Sequence, residues 1–239
     1  MINQSPGAPY STQSAPSALG VKPDARLSGA FLSHAFAWMF VGLLLTAGVS
    51  AFVAGNARLL EIATHYMLFI IIAQFAIVVG ISAAINKISA TAALGLFFVY
   101  AASVGLFIGV LASVYSTASV AQAFLGASAM FGGAAVYGAV TKRSLASMGG
   151  LLTMALFGLI AVMVINMFLH SQPLDWLIGI AGIGIFTVLT ARDVQRIQAG
   201  DLAARLGSME KAAVVGALTL YLDFLNLFLF FLRIMGGRS

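Results

Sequence analysis

Charge is what this chain has least of. Only 8% of its 239 residues are Asp, Glu, Lys or Arg, against roughly 25% in an ordinary soluble domain. Cysteine is absent, which excludes disulfides, thiolate metal sites and a cysteine nucleophile. Proline is scarce and unevenly placed: four of the five prolines fall within residues 1–28, a stretch with several serines and few large apolar side chains. That composition reads as a disordered tail, and it lacks the basic start and apolar core of a cleaved signal peptide. A net charge of +5 does not make a nucleic-acid surface here. The basic residues stand singly or in pairs at the ends of apolar segments, where they act as topology signals.

What is present is apolar length. No Asp, Glu, Lys or Arg occurs from Leu27 to Ala57, Ile62 to Asn86, Ile88 to Thr141 or Ser144 to Leu174. A membrane-spanning helix needs about 20 mainly apolar residues, so the chain is an all-α polytopic membrane protein. Seven spans are expected, at 30–54, 64–86, 90–114, 118–140, 148–169, 174–197 and 212–233. The third and fourth are divided at Tyr115, Ser116 and Thr117. The chain thus reads as a tail (1–28) and a seven-helix transmembrane domain (29–239). Alternation of the spans puts nine Lys and Arg residues on one side and Arg58, Arg233 and Arg238 on the other. The positive-inside rule then predicts a cytoplasmic N-terminus and a periplasmic C-terminus. Gly105 and Gly109 form a GxxxG in the third span, and Gly179, Gly182 and Gly184 thin the sixth, as close helix packing in lipid requires. No internal repeat is evident.

One residue runs against this pattern. In LTLYLDFLNLFLFFLR, residues 218–233, Asp223 lies near mid-bilayer among apolar and aromatic side chains. An ionised carboxylate there costs about 2.5–3.5 kcal/mol on insertion scales, so it is expected to face the bundle interior and to have a partner. Steps of three and four residues align Thr219, Asp223, Asn226, Phe230 and Arg233 in one stripe. The plainest role for Asp223 is an interhelical hydrogen-bond clamp. A sharper one comes from TARDVQRI, residues 190–197, which places Asp193 near the end of the sixth span. A short connection makes the sixth and seventh spans antiparallel neighbours, able to bring the two carboxylates together. Such a pair shares a proton and titrates in two coupled steps. Alone, Asp193 reads as a solvated helix-end residue beside Arg192 and Arg196. Asn166 and Gln74 read as interhelical hydrogen-bond formers. His34, His65 and His170 lie at span ends without the spacing of metal ligands.

GALTLYLDFLNLFLFFLRIMG, with TARDVQRI, INKISA and TKRSLASMGGLL, resembles the transmembrane Bax inhibitor motif family, its proteobacterial inner-membrane members in particular, from about residue 25 onward. The resemblance implies a seven-helix fold with the last helix central, wrapped by the other six. It also implies a pH-sensitive calcium leak rather than an enzyme, with Asp193 and Asp223 as the sensor and as weak, transient calcium ligands. No tightly bound cofactor is expected; calcium is the conducted ion. Lys87, in INKISA, takes the place of a basic latch, and reads equally as a positive-inside marker. Relatives commonly carry Tyr where this chain has Arg192, a cation that favours the ionised form of its neighbour. Thr219, Asn226 and Arg192 are expected to line or support the path. The expected partners are the lipid bilayer of the bacterial inner membrane, calcium ions, protons and membrane proteins. Two other classes stay open. One is a non-conducting regulator of quality-control or cell-death machinery. The other is an intramembrane aspartyl protease, against which stand the Leu-Tyr-Leu before Asp223, where those enzymes have GxGD, and the lack of a PAL motif.

Overall fold

Lipid satisfies no backbone group, so every turn between spans has to supply its own hydrogen-bond partners. The computed structural model describes residues 25–236. There the chain forms helices α1 (Ala25–Ala54), α2 (Ala57–His65), α3 (Met67–Ala84), α4 (Ala90–Val114), α5 (Thr117–Val140), α6 (Gly149–Leu169), α7 (Gln172–Gln198), α8 (Asp201–Leu206) and α9 (Met209–Met235). The turns carry the caps. Asn56, Ser89, Ser116, Ser171 and Ser208 each accept a hydrogen bond from the backbone N–H three residues on, at the starts of α2, α4, α5, α7 and α9. Each cap is worth about 1 kcal/mol. His170 ends α6 in the left-handed conformation, with φ of 50°.

Seven of these helices are long and apolar enough to cross a membrane: α1, α3, α4, α5, α6, α7 and α9. The long charge-free stretch breaks at Tyr115 and Ser116, both in extended backbone, as the sequence predicts. The second span starts later than expected, at Met67, because the preceding residues form the separate short helix α2. The first span, Phe31–Ala54, falls where the sequence places it, on a helix that starts at Ala25; the tail reading for residues 1–24 lies outside the described residues. Alternation of seven spans gives the bundle two ends. The α3–α4 turn, the α5–α6 loop and α8 lie at one, which we term the basic end for Lys87, Lys142, Arg143 and Arg205. The α4–α5 and α6–α7 turns lie at the other.

α9 is the most buried span. Of its most apolar stretch 67% is inside the protein, against 6–39% in the other six. Its main contacts come from four spans, α1, α4, α5 and α7, rather than six; α3 packs on α4 and α6 on α7 in an outer layer. Leu68, Phe69, Ile72 and Phe75 of α3, and Leu151, Met154 and Phe157 of α6, are exposed, which suits helices whose solvent is hydrocarbon. The GxxxG of α4 meets α1: a Cβ at Gly105 would lie 2.6 Å from Val49 Cβ, and one at Gly109 2.9 Å from Val53 Cβ. In α5, Gly138 sits so close to Ala191 of α7 that a Cβ would collide with the Ala191 carbonyl oxygen. Gly184, in contrast, faces open space.

Candidate functional site

The stripe on α9 faces α7, which runs antiparallel beside it. From the basic end outward, Gly216 meets Ile197, Asp223 meets the Asp193 region, Phe230 meets Gly182 and Phe186, and Arg233 meets Asp175. The two spans therefore match their special residues in order, and the interface divides into a charged level, an aromatic level and an ionic mouth.

At the charged level Asp193 and Asp223 are both buried, 8% and 5% exposed. The charge of Asp193 acts on Asp223 across the interface, and the charge of Arg192 acts on both. The Nη1 of Arg192 donates to Asp193 Oδ1 at 3.2 Å. Among the described residues Asp223 Oδ2 is buried without a hydrogen-bond partner, and so is Arg192 Nε. Orphaned polar atoms of this kind are costly and uncommon in folded proteins. Asp223 stands fifteenth of the 27 residues of α9, about 21 Å from its start at 1.5 Å per residue. Among the described residues no three of His, Asp and Glu come together, so a cation at this level would meet two carboxylates.

The other residues singled out from the sequence divide into those at the pair and those away from it. Thr219 donates to the Val215 carbonyl at 2.9 Å, and Asn226 to the Leu222 carbonyl at 2.8 Å. Both thus satisfy themselves on their own helix. Lys87 is exposed in the α3–α4 turn, and the structure does not bring it to the aspartates; the cation there is Arg192. Gln74 donates to the Ser103 carbonyl across α3 and α4 at 3.0 Å. Asn166 bridges α6 to α7, donating to Asp175 Oδ1 at 3.2 Å and accepting from Ser171 N–H at 3.1 Å. Both are the interhelical bonds expected of them.

Beyond the pair, the Phe186 and Phe230 rings lie 5.8 Å apart. A Cβ at Gly182 would stand 2.6 Å from the Phe230 ring, so the glycine is what lets the ring lie against α7. Past this layer a cavity of about 1060 Å³ opens at the end opposite the basic one, lined in part by Tyr115, Asn166, His170, Trp176 and Arg233. Asp175 and Arg233 form an ion pair in its wall, with Nε donating to Asp175 Oδ1 at 3.0 Å.

Two further arrangements, besides this ion pair, were not anticipated from the sequence. On the face of α9 away from α7, the Tyr221 hydroxyl lies 2.6 Å from Thr46 Oγ1, which also reaches the Ala101 carbonyl at 2.9 Å and the Gly42 carbonyl at 3.0 Å. The other is Gln195, two residues past Asp193. Its Oε1 accepts from Leu145 N–H at 2.8 Å and its Nε2 donates to the Arg143 carbonyl at 2.8 Å, which fastens the α5–α6 loop to α7. The only sequence signal for either was position: a tyrosine two residues before Asp223, and a glutamine two after Asp193.

Comparison with known proteins places this arrangement in company. The profile of the family described as "Inhibitor of apoptosis-promoting Bax1" matches residues 29–239. The inner membrane protein YbhL of Escherichia coli K12 is 40% identical over 226 residues, covering 91% of this chain and 95% of that protein. An uncharacterized protein of Borreliella burgdorferi is 39% identical, with 91% and 96% covered. One from Deinococcus radiodurans is 38% identical, with 87% and 91% covered.

Proposed function

The chain belongs to the Bax inhibitor-1-like family of multi-pass membrane proteins, and from that premise we propose that it is a pH-sensitive cation leak, with calcium the conducted ion, gated by Asp193 and Asp223. Its seven apolar helices and its inner-membrane relative fit a multi-pass protein of the inner membrane. The distribution of Lys and Arg supports a cytoplasmic basic end and a periplasmic cavity.

The observation that carries the reading is the burial of two carboxylates on neighbouring spans, the charge of Asp193 acting on Asp223, whose Oδ2 has no hydrogen-bond partner among the described residues. Intramembrane acids are expensive and mark ion or proton pathways. Two of them in a poorly solvated place share protons, so their combined charge is set by pH. That charge is what attracts a cation and what holds the neighbouring guanidinium. Two carboxylates fall short of the about six to eight oxygens of a tight calcium site, and weak binding is what conduction requires, because the ion has to leave. On this reading the barrier is the aromatic level of Phe186 and Phe230, which lies along α7 and α9 between the aspartates and the wide cavity.

The test is calcium flux into liposomes holding the purified protein at several pH values, for wild type and Asp223→Asn. The expected result is a pH-dependent flux whose size or pH response changes in the variant. Absence of flux from folded wild-type protein across the whole range refutes the channel and leaves a non-conducting regulator in its place.

A further inference from the structure

The cavity opposite the basic end sorts its wall by depth. Its charged and aromatic polar residues sit together at the outer end: Tyr115 closes α4, His170 closes α6, Asp175 and Trp176 lie near the start of α7, and Arg233 is in the last turn of α9. The apolar residues lie deeper. Phe107 comes eight residues before Tyr115, and Met163 seven before His170, so this part reaches about 10–12 Å further in at 1.5 Å per residue. Leu111, Leu229 and Leu232 line the space between. Among the described residues α4 and α6, which both line the cavity, do not pack substantially against each other, and that leaves it a seam toward lipid. Its volume of about 1060 Å³ stands at the top of the range of about 300–1,000 Å³ for ligand pockets. Polar at one end and apolar along its depth, the cavity has the shape of an amphiphile.

The polar end carries both signs of charge and is neutral in sum. Asp175 Oδ1 accepts from Asn166 Nδ2 at 3.2 Å, from Arg233 Nε at 3.0 Å and from Arg233 Nη2. Among the described residues the other carboxylate oxygen, Oδ2, and the other guanidinium nitrogen, Nη1, take no hydrogen bond. His170 Nδ1 lies 3.1 Å from the Phe168 carbonyl. A carbonyl only accepts, so Nδ1 carries the hydrogen and Nε2 of the neutral ring is an acceptor. The wall thus offers a charged donor and two acceptors. We propose that this cavity holds one phospholipid with an ethanolamine headgroup. Its phosphate meets Arg233 Nη1, its primary ammonium meets Asp175 Oδ2 and His170 Nε2, and an acyl chain lies along the apolar wall. Tyr115 and Trp176 stand at the headgroup level, where such residues gather. A headgroup of net negative charge finds no net positive charge to match. A choline headgroup has no N–H for the two acceptors. Neither Asp193 nor Asp223 takes part, so the site stands whether or not the chain conducts.

The experiment is native mass spectrometry of the purified, delipidated full chain in detergent, titrated with phosphatidylethanolamine, phosphatidylcholine and phosphatidylglycerol of the same acyl chains. Wild type is expected to retain one phosphatidylethanolamine about tenfold more tightly than either of the others, the weight of one hydrogen bond to a charged group. Asp175→Asn removes the negative charge and leaves Arg233 positive, so the preference is expected to pass to phosphatidylglycerol. Met163→Trp leaves the ion pair alone and fills the apolar part, and is expected to cost the retention of all three lipids. Equal retention of the three by wild type makes them annular lipid and overturns the proposal. A preference that neither variant moves puts the site elsewhere and overturns it too. The second measurement needs no variant: phosphatidylethanolamine with a diazirine on its acyl chain should label wild type within residues 107–111 and 163–167. Labels spread over the exposed faces of α3 and α6 instead overturn the proposal even if Asp175→Asn and Met163→Trp fail to fold. Soluble phosphoethanolamine is the last arm. If it displaces the lipid at equal concentration, the ligand is a soluble zwitterion and the lipid assignment falls.

Discussion

Tyr221 and Thr46 make a prediction whose size follows from donor counting. The Thr46 hydroxyl has one proton and two backbone carbonyls within 3.0 Å. It spends that proton on a carbonyl, so the contact of 2.6 Å with Tyr221 is Tyr221 O–H donating to Thr46 Oγ1. Both side chains are buried, Tyr221 completely. Tyr221→Phe removes a donor and leaves an acceptor that still has its own bond, at a cost of about 0.5–1.5 kcal/mol. Thr46→Val removes the acceptor. It strands the phenolic O–H in an apolar pocket formed with Phe97 and Tyr100, whose rings stand edge-on to Tyr221 at 5.4 and 5.8 Å. That costs about 1–3 kcal/mol. The double variant strands nothing on either side and should cost less than the two singles added. For a domain of this size 1 kcal/mol corresponds to about 2–4 °C in Tm, so thermal unfolding in one detergent resolves the order. The reasoning is wrong if Tyr221→Phe proves the more damaging of the two, or if the losses simply add.

Two further predictions concern the partners of α7, one at its interface with α9 and one at the α5–α6 loop. Phe230→Ala removes the ring that lies on Gly182 and beside Phe186; it should destabilise by about 3–5 kcal/mol and, in liposomes, raise the flux at the pH where wild type is closed. A stability loss with no change in flux would show that this aromatic level is not the barrier. Gln195→Ala frees Leu145 N–H and the Arg143 carbonyl; amide exchange in residues 141–148 should accelerate by about tenfold while α9 keeps its protection. An unchanged rate means that the loop is held by something other than Gln195.

The architecture was legible because each of its rules acts along the chain. Charge-free length marks the spans, and the polar residues between them double as caps, so Tyr115 and Ser116 could divide a stretch with no charge in it. The pairing of α7 with α9 was legible for a related reason: a short connection forces two long helices to be neighbours, and Asp193 and Asp223 are the acids each carries in its apolar run. What stayed hidden depends on rotation and on distance in space. Lys87 and Arg192 are both cations near one end of a span, and only the packing of α6 against α7 decides which of them reaches the aspartates. Thr46 is one hydroxyl among many in the spans, and only the approach of α1 to α9 decides that it meets Tyr221. Asp175 carries no sequence signal for its partner, Arg233, which lies 58 residues away.

The contact between Gly138 and Ala191 bears on which parts can move. Where two helices touch through backbone alone, no side chain can change rotamer to absorb a slide, and the contact behaves as a weld. It lies one residue from Arg192 and two from Asp193, and the Gln195 bonds to the loop after α5 add a second fastening a turn further on. α5 and α7 therefore travel as one plate that carries Asp193 and its arginine. The seams left to slip are those with α6, where Gly149 faces only the tip of the Arg192 side chain, and with α9, which carries the other aspartate.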